Sequence, residues 1–595
     1  MSEAGSPNLK SVPPPLQITK EGKSKIEVSK TEIIDRGKEG KFIFAPHAVR
    51  HHIYTYLGID YLFPERYLDV DEAGLRSDYD RRQVKNYNTI PVLTVILRID
   101  EIKQELDEYG YGDLDESQRK ELRNFIQIVE NEKHLLKEKF GAEGVPTEVA
   151  AEELALILNS PGLAFAYHDG EEVFGFISKS ASIRADLFGK HIDVQGRIHA
   201  SFGEGISAII YNFKIPYFEG YKSLKEIGIS MLSSDKKTFD YLVQRGKKYV
   251  DLVSKPSYRH YSGTIARRSW WTTHKFKADG RVMVDIAAMR NIDPDYNAYF
   301  GWRRFEPSDQ NRPNGLTEFT NEQYISMPPY VYGFSFTSKV WGEMTVDSIS
   351  DIVFREDAYD MLVMDEDRKS MIFALVDNSI SGAKDFIDGK GGGCIFLLAG
   401  PPGGGKTLTA EAIAERLKRP LYMVGVGELG TDVQSLEESL RKILDVATTW
   451  NAVLLIDECD IFMEERTDMD VHRNAMVGVF LRLLEYYEGV LFLTTNRAKN
   501  IDKAFYSRIS MALHYAPLKT DDRKIVWSNL LKIYGIEGID VDTLAKHELN
   551  GRKIKGVIRI AKALAAAENR NPELRDFERV IEREQEFKEA VGYDI

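Results

Sequence analysis

Gly400-Pro401-Pro402-Gly403-Gly404-Gly405-Lys406-Thr407 is the stretch that decides how this chain is read. It fits G-x-x-x-x-G-K-[ST], a loop that wraps phosphate groups. Glycines are needed because backbone N–H groups must curl around phosphate oxygens, and side chains would block that approach. The apolar run Cys394 to Ala399 precedes the loop and reads as a strand. Thr407 to Leu417 follows with helical spacing, and its N-terminus adds partial positive charge at the same spot. Lys406 supplies a point charge to the β- and γ-phosphates, and Thr407 offers its hydroxyl to Mg²⁺. The nucleotide-contacting set therefore runs over Gly400, Pro401, Pro402, Gly403, Gly404, Gly405, Lys406, Thr407 and Leu408.

Fifty residues beyond Thr407, Val453-Leu-Leu-Ile456 reads as a buried strand ending in Asp457 and Glu458. Ligands of such sheets bind at the strands' C-terminal ends. Asp457 is expected to hold Mg²⁺, and Glu458 to orient and polarise an attacking water. A second run, Leu491-Phe-Leu-Thr494-Thr495-Asn496-Arg497, ends in polar residues and is expected to bring the Asn496 amide toward the γ-phosphate. Twelve residues later, Arg508 is read as an exposed arginine reaching a neighbouring subunit's phosphate. The plainer alternative is a surface arginine in a loop. Asn550-Gly551-Arg552 opens a helix from which Arg552 contacts the nucleotide. The alternative there is a helix cap followed by solvated basic residues.

Around these motifs, short apolar strands (Leu421 to Val424, Val490 to Thr494) alternate with helical stretches (Leu436 to Thr449, Asn474 to Tyr487). That alternation predicts a parallel sheet covered by helices. Beyond about 517 only helical patterns remain, giving a helical lid over 517–568 and a charged tail over 569–595.

Upstream the texture differs. Residues 1–40 are rich in Pro, Ser, Lys and Glu and read as a disordered arm. Residues 41–158 read as mostly helical, chiefly through Glu116 to Phe140, with Asp115 or Ser117 as its cap. His47, His51 and His52 lack an evident fourth ligand and read as ordinary histidines. Residues 159–345 carry β signals at Leu163 to Tyr167, Val173 to Ile177, His191 to His199 and Ile206 to Phe213, with a helix over Lys237 to Arg245.

Composition bounds the rest. The chain has 595 residues, 43% of them hydrophobic, and a net charge of −13, a balance that argues against a protein that mainly coats nucleic acid. Two cysteines make a secreted disulfide framework a poor fit and favour a reducing compartment. No apolar stretch is long enough to span a membrane, and the N-terminus lacks a signal-peptide core. The expected location is the cytoplasm, with the nucleus as the second choice.

In Gly400 to Thr407, Val453 to Glu458, Thr494 to Arg497 and Arg508, taken in order, the chain resembles AAA-type ATPases. Arg419-Pro-Leu-Tyr, Gly427-Glu-Leu-Gly-Thr431-Asp and Asn550-Gly-Arg-x-Ile-Lys555 are similar to a fungal-type group with an uncharacterised central domain. Arg245-Gly-Lys-Lys, Tyr261-Ser-Gly and Val331-Tyr-Gly-Phe resemble that domain. The resemblance implies an α/β P-loop NTPase core over 346–516 with a helical AAA lid, preceded by a β-rich (α+β) adaptor. It implies a Mg²⁺-dependent ATP hydrolase, a ring-shaped homo-oligomer (a hexamer favoured), and a protein client. Ala358 to Leu362 falls where relatives contact adenine. The loop Glu428 to Ser435 lacks the pore-facing aromatic residue of unfolding members, which weighs against threading.

Two rivals stand beside a remodelling machine. Asp457-Glu-Cys-Asp460 and the basic, aromatic stretch Ala266 to Lys277 suggest a nucleic-acid translocase or helicase. The paired tryptophans Trp270 and Trp271 read more simply as core or interface, so nucleic acid ranks below a protein client. The other rival is a nucleotide-gated scaffold, which turnover only resets.

Overall fold

The computed structural model describes residues 32–35, 41–44, 89–91, scattered positions from 95 to 106, and most of 115–591. Within the last range, 141–147, 161, 171, 187–188, 204, 269–271, 293–317, 381–392, 467–469 and 498–500 are left out. His47, His51, His52, Trp270, Trp271 and nearly all of the arm expected at 1–40 lie outside the described residues.

Strands β1 (Glu32–Asp35), β2 (Lys41–Phe44) and β3 (Thr89–Pro91) form an antiparallel sheet. Helix α1 (Glu116–Phe140) starts at Asp115, whose carboxylate accepts from the Gln118 N–H at 2.8 Å. The Gln118 side chain accepts in return from the Asp115 N–H at 3.0 Å, so two N–H groups the helix leaves free are satisfied reciprocally. Its buried Leu122, Phe125 and Val129 recur at helical spacing.

The β-rich region holds two sheets. Strand β4 (Glu148–Val149) and helix α2 (Ala151–Leu158) lead into β5 (Ala164–Asp169), β6 (Glu172–Asp186), β7 (Gly189–Ser201) and β8 (Ile206–Pro216). A pairing of β4 with β9 (Lys222–Ser223), helix α3 (Leu224–Ile227) and β10 (Ile229–Met231) follow. The first sheet runs β10-β5-β6-β7-β8, all antiparallel. Its inward side chains Phe165, Phe174, Phe176 and Phe213 stack on one another under α2.

Helix α4 (Lys236–Val253) then crosses to the second sheet, made of β11 (Ser257–Arg268), β12 (Thr273–Val284), β13 (Tyr330–Ser335), β14 (Val340–Thr345) and β15 (Ile349–Ser350). Helices α5 (Ile286–Ile292) and α6 (Asn321–Ile325) lie between β12 and β13. Because β11 pairs with both β12 and β14, the sheet closes on itself as a small barrel. Gly246 shows why α4 bears glycine here: a Cβ would lie 2.2 Å from the Tyr324 carbonyl oxygen. Of the stretch Ala266 to Lys277, Ala266–Arg268 close β11 and Thr273–Lys277 open β12, with Arg267, His274, Lys275 and Lys277 exposed on the paired strands.

After α7 (Asp357–Asp360) and α8 (Glu366–Ile380) comes the parallel sheet. Its chain order is β16 (Cys394–Ala399), α9 (Lys406–Arg416), β17 (Leu421–Gly425), α10 (Val433–Thr449), β18 (Val453–Asp457), α11 (Asp460–Met463), α12 (Val471–Glu485), β19 (Val490–Thr495) and β20 (Met511–His514). The strand order is β17-β18-β19-β16-β20, every pair parallel. Alternate residues feed two cores: Ile395, Leu397, Leu454, Ile456, Leu491 and Leu493 face α10 and α12, while Phe396, Leu398, Val453, Leu455 and Phe492 face α8 and α9. Burial on both faces is why these strands are continuously apolar.

The lid comprises α13 (Thr520–Tyr534), α14 (Val541–Leu544), α15 (Gly551–Ala567) and α16 (Leu574–Val591). Leu574–Val591, most of the stretch expected as a charged tail, thus forms α16, whose Phe577, Val580 and Ile581 complete the lid's core against Trp527. Charge dominated the sequence pattern there because only one face of the helix is apolar. No helix among the described residues is long and apolar enough to cross a membrane.

The barrel and the parallel sheet share one hydrophobic core, in which Met283 and Phe334 join Val424, Leu440 and Trp450. The rings of Phe334, Phe336, Trp341, Tyr422 and Trp450 meet at this seam. Asp285 accepts a hydrogen bond from Trp450 Nε1 at 2.8 Å across it.

Candidate functional site

The loop after β16 leaves the C-terminal end of the sheet between β19 and β20, so the strand order alone sets it beside the end of β19, with the end of β18 next in line. Gly400, Gly403 and Gly405 have φ of 153°, 77° and 98°, a region that side chains disfavour. A Cβ on Gly403 would lie 2.6 Å from the Asn550 side chain, so the lid closes directly over the loop. Asn550 caps α15 by accepting from the Lys553 N–H at 2.9 Å, and it donates to the Pro402 carbonyl at 3.2 Å. Gly551 N–H donates to the Gly403 carbonyl at 3.2 Å. In the sequence Asn550 stands in the motif Asn550-Gly-Arg-x-Ile-Lys555 and as the alternative helix cap, with no contact to the loop expected of it. Its reach to the loop depends on how the lid folds back.

Lys406 opens α9 and is buried. Its ammonium donates to the carbonyls of Gly400 at 2.7 Å and Pro401 at 3.0 Å, and to Asn496 Oδ1 at 2.9 Å. Burial holds its pKa below the usual lysine value, against the pull of Asp457, Asp460 and Glu458. Arg552 adds repulsion at the same ammonium, which brings the start of α15 into the field of the loop. Arg552 itself is exposed, Thr407 is partly buried at the first turn of α9, and Leu408 points to solvent. Pro401 and Pro402 are exposed on the loop, and Gly404 lies between the two strained glycines.

Asp457 ends β18. Thr494 on β19 donates its hydroxyl to Asp457 Oδ1 at 2.5 Å and accepts from the Glu458 N–H at 2.9 Å. One threonine therefore orients both carboxylate-bearing residues. Glu458 has φ of 57°, an uncommon conformation for a residue with a side chain. Such strained positions persist only where neighbours hold them, and they cluster at functional sites. Asp460 accepts from the Asn496 N–H at 3.2 Å and from the Thr495 hydroxyl, which fixes the turn bearing Asn496. The fourth residue of the Asp457-to-Asp460 tetrad thus has a local task. Thr494 and Asp460 went unassigned in the sequence because their partners are about 35 residues away along the chain. Cys459 is buried, and burial raises its thiol pKa well above the usual value, which makes it inert packing.

On the other side of the loop, the Tyr515 and Thr409 hydroxyls lie 2.7 Å apart, and the Tyr515 N–H donates to the Ala399 carbonyl. Burial pushes the Tyr515 phenol up to about 12, so it stays protonated. Ala358 to Leu362 starts within α7 and runs two residues past its end, and the Met361 carbonyl accepts from the Asn529 side chain of the lid at 3.2 Å.

Arg508 is not the freely exposed arginine expected from sequence. It is partly buried and paired with Glu485 of its own chain at 2.9 Å, and its guanidinium also donates to the Ala504 carbonyl at 3.0 Å. It lies just before β20, whose first paired residue Met511 faces Phe396, so it sits at the N-terminal end of the sheet. The phosphate loop is at the other end, roughly 15–20 Å away along a strand of that length.

A fold of this order, with a glycine loop, a buried lysine and paired acids at the strand ends, defines a P-loop nucleotide-hydrolase domain. Residues 396–516 match the family described as "ATPase family associated with various cellular activities (AAA)". The chain therefore carries an AAA ATPase domain, the catalytic unit of an ATP-hydrolysing enzyme. It is similar to a putative 26S proteasome regulatory subunit homolog of Methanothermobacter thermautotrophicus, 28% identical over 185 residues, covering 29% of this chain and 50% of the relative. It is also similar to the ATPase family AAA domain-containing protein FIGL1 of Arabidopsis thaliana, at 30% over 26% of this chain and 24% of that protein. Spastin of Xenopus laevis is 26% identical over 31% of this chain and 35% of its own length. The chain thus spans half or less of these relatives.

Proposed function

We propose that this chain is a Mg²⁺-dependent ATPase of the fungal-type AAA group with a central adaptor, assembled as a homo-oligomeric ring, hexameric by preference, that remodels a protein client. The observation that carries the reading is the gathering of Lys406, Asp457, Glu458 and Asn496 around one glycine loop. The positive φ of Gly400, Gly403 and Gly405 is a conformation that keeps side chains off the loop and its N–H groups open, which fits a polyphosphate. Mg²⁺, when bound near Thr407 and Asp457, neutralises charge on the β- and γ-phosphates.

In this reading Lys406 exchanges its contacts with the Gly400 and Pro401 carbonyls for phosphate oxygens. Glu458 orients the attacking water and accepts its proton, while Asn496 holds that water from the adjacent strand. Arg552 approaches the phosphates from the lid. Arg508 serves the next subunit, because its own loop is at the opposite end of the sheet. The two described cysteines are both buried and unpaired, which fits work in the cytoplasm, with the nucleus as the second choice.

The test is steady-state ATPase activity against protein concentration, with Glu458→Gln as control and light-scattering mass measured with and without ATP. Activity that rises as a ring assembles supports the proposal. Activity that belongs wholly to the monomer sinks the ring.

A nucleotide-gated scaffold is the second reading. It is favoured by the loop after β17, which lacks an aromatic residue and whose Glu428 is tied by an ion pair to Lys339 of the adaptor. Client unfolding abolished by changes in Glu428 to Ser435 would count against it.

A further inference from the structure

Helix α9 begins with Lys406 and Thr407 and reaches Glu415 in its last turn. Nine residues separate Lys406 from Glu415, about 14 Å along a helix, so tilting one end moves the other. Both Glu415 carboxylate oxygens are engaged from outside the helix. Arg281 on strand β12 of the adaptor pairs with Oε1 at 2.5 Å, and the Arg355 N–H, in the segment joining adaptor to ATPase, donates to Oε2 at 2.9 Å. The Arg281 and Glu415 side chains are only 25% and 19% exposed, so solvent screens the pair weakly.

The adaptor and the joining segment together shape a slot for the guanidinium. Arg281 lies over the Phe354 ring at 5.0 Å and the Tyr258 ring at 5.8 Å, and it donates to the Tyr258 hydroxyl at 3.2 Å. A lysine has neither the planar face nor the fork this slot uses. The adaptor does not need this pair to stay seated, because the aromatic seam and the Asp285–Trp450 bond hold it against β17 and α10. The pair instead falls on the one helix that carries the phosphate-binding lysine.

We propose that Arg281 is a positioning residue for the nucleotide site: through Glu415 it fixes the tilt of α9 and with it the affinity for ATP. The proposal rests on the ATPase reading. An anchor at the far end of α9 sets ground-state phosphate contacts and leaves Glu458 and Asn496 in place. Its loss therefore raises KM and the dissociation constant for ATP and leaves kcat nearly unchanged.

The experiment uses the full chain with Arg281→Ala, Arg281→Lys, Glu415→Gln and the Arg281→Ala/Glu415→Gln double variant. It records kcat and KM for ATP, binding of a fluorescent ATP analogue, and thermal stability. Trp450→Phe, which loosens the seam away from α9, is the control. The expected result is a rise of about two- to thirtyfold in KM and dissociation constant for Arg281→Ala and Glu415→Gln. The double variant should be no worse than either single one, Arg281→Lys should recover part of the loss, and Trp450→Phe should show no rise. Reduced kcat or stability with unchanged KM overturns the proposal, as do additive single effects. If Arg281→Ala fails to fold, Arg281→Lys and Glu415→Gln decide alone. A wild-type chain that neither binds nor hydrolyses ATP overturns the ATPase reading and this inference with it. Turnover by the wild type with indifferent Arg281 variants overturns the inference alone.

Discussion

Arg508 is bound to Glu485 of its own chain at 2.9 Å, at the end of the sheet opposite the phosphate loop. An arginine so placed is out of reach of its own nucleotide and already has a carboxylate partner. Acting on a neighbour's phosphate requires it to leave Glu485. Arg508→Ala is expected to lower turnover by at least about tenfold with ATP affinity retained. Glu485→Gln should keep or raise turnover. In mixtures of Arg508→Ala with Lys406→Ala protein, activity above that of either alone supports action across subunits. Its absence at every ratio removes that assignment.

Thr494 offers a second test, because its hydroxyl touches both Asp457 and the Glu458 N–H. Glu458→Gln should bind ATP and lose turnover by about 10²-fold or more. Thr494→Val keeps the shape but orphans both partners, so it should lower kcat with little change in fold. Full activity in Thr494→Val would show that the two acids need no such support.

The pH dependence of stability should carry the mark of His199. Burial, aided by Arg197, lowers its pKa from 6.5 to about 4 in the folded chain. The folded state therefore favours the neutral ring, and the unfolded chain takes up the proton first as pH falls. This contribution to stability is present above about pH 6.5 and lost as pH falls through 4, with a full loss on the order of 3 kcal/mol. Its ring contacts Ser326 Oγ at 2.7 Å. His199→Asn should flatten the fall in melting temperature between pH 6.5 and 4, and an unchanged slope would remove His199 as its source.

The last helix is expected to be part of the lid's fold. Phe577 is fully buried, edge-on to Trp527 with ring centres 6.0 Å apart. Phe577→Ala should cost about 3–5 kcal/mol of lid stability, read by urea unfolding followed through tryptophan fluorescence. A loss below about 1 kcal/mol, within the range of surface substitutions, would mean that α16 is a loosely attached tail.

The parallel sheet and its loop were legible because their signals are local. Cys394 to Ala399 and Val453 to Ile456 are apolar throughout, since both faces of those strands are covered, and the loop's glycines are adjacent. The adaptor's first four strands and α4 were legible from alternation and from the 3.6-residue period. The closure of the second sheet was not, because β11 meets β14 only at Ala266 and Glu343, far apart in the chain. Nor was α16, whose charged face outweighs its apolar one in the sequence.

What the sequence determined by itself is what neighbouring residues decide together: the phosphate loop, the strand-borne acids, and the alternation that makes a covered parallel sheet. Only the tertiary structure decided that Thr494 orients Asp457, that Asn550 of the lid bonds the loop, that Arg281 of the adaptor grips α9, and that Arg508 begins bound to Glu485. Each of these is a contact of a few ångströms between residues 23 to 148 positions apart. Hydrogen bonds and ion pairs act through space over such short distances, and a linear pattern carries no record of which remote groups the packed core brings together.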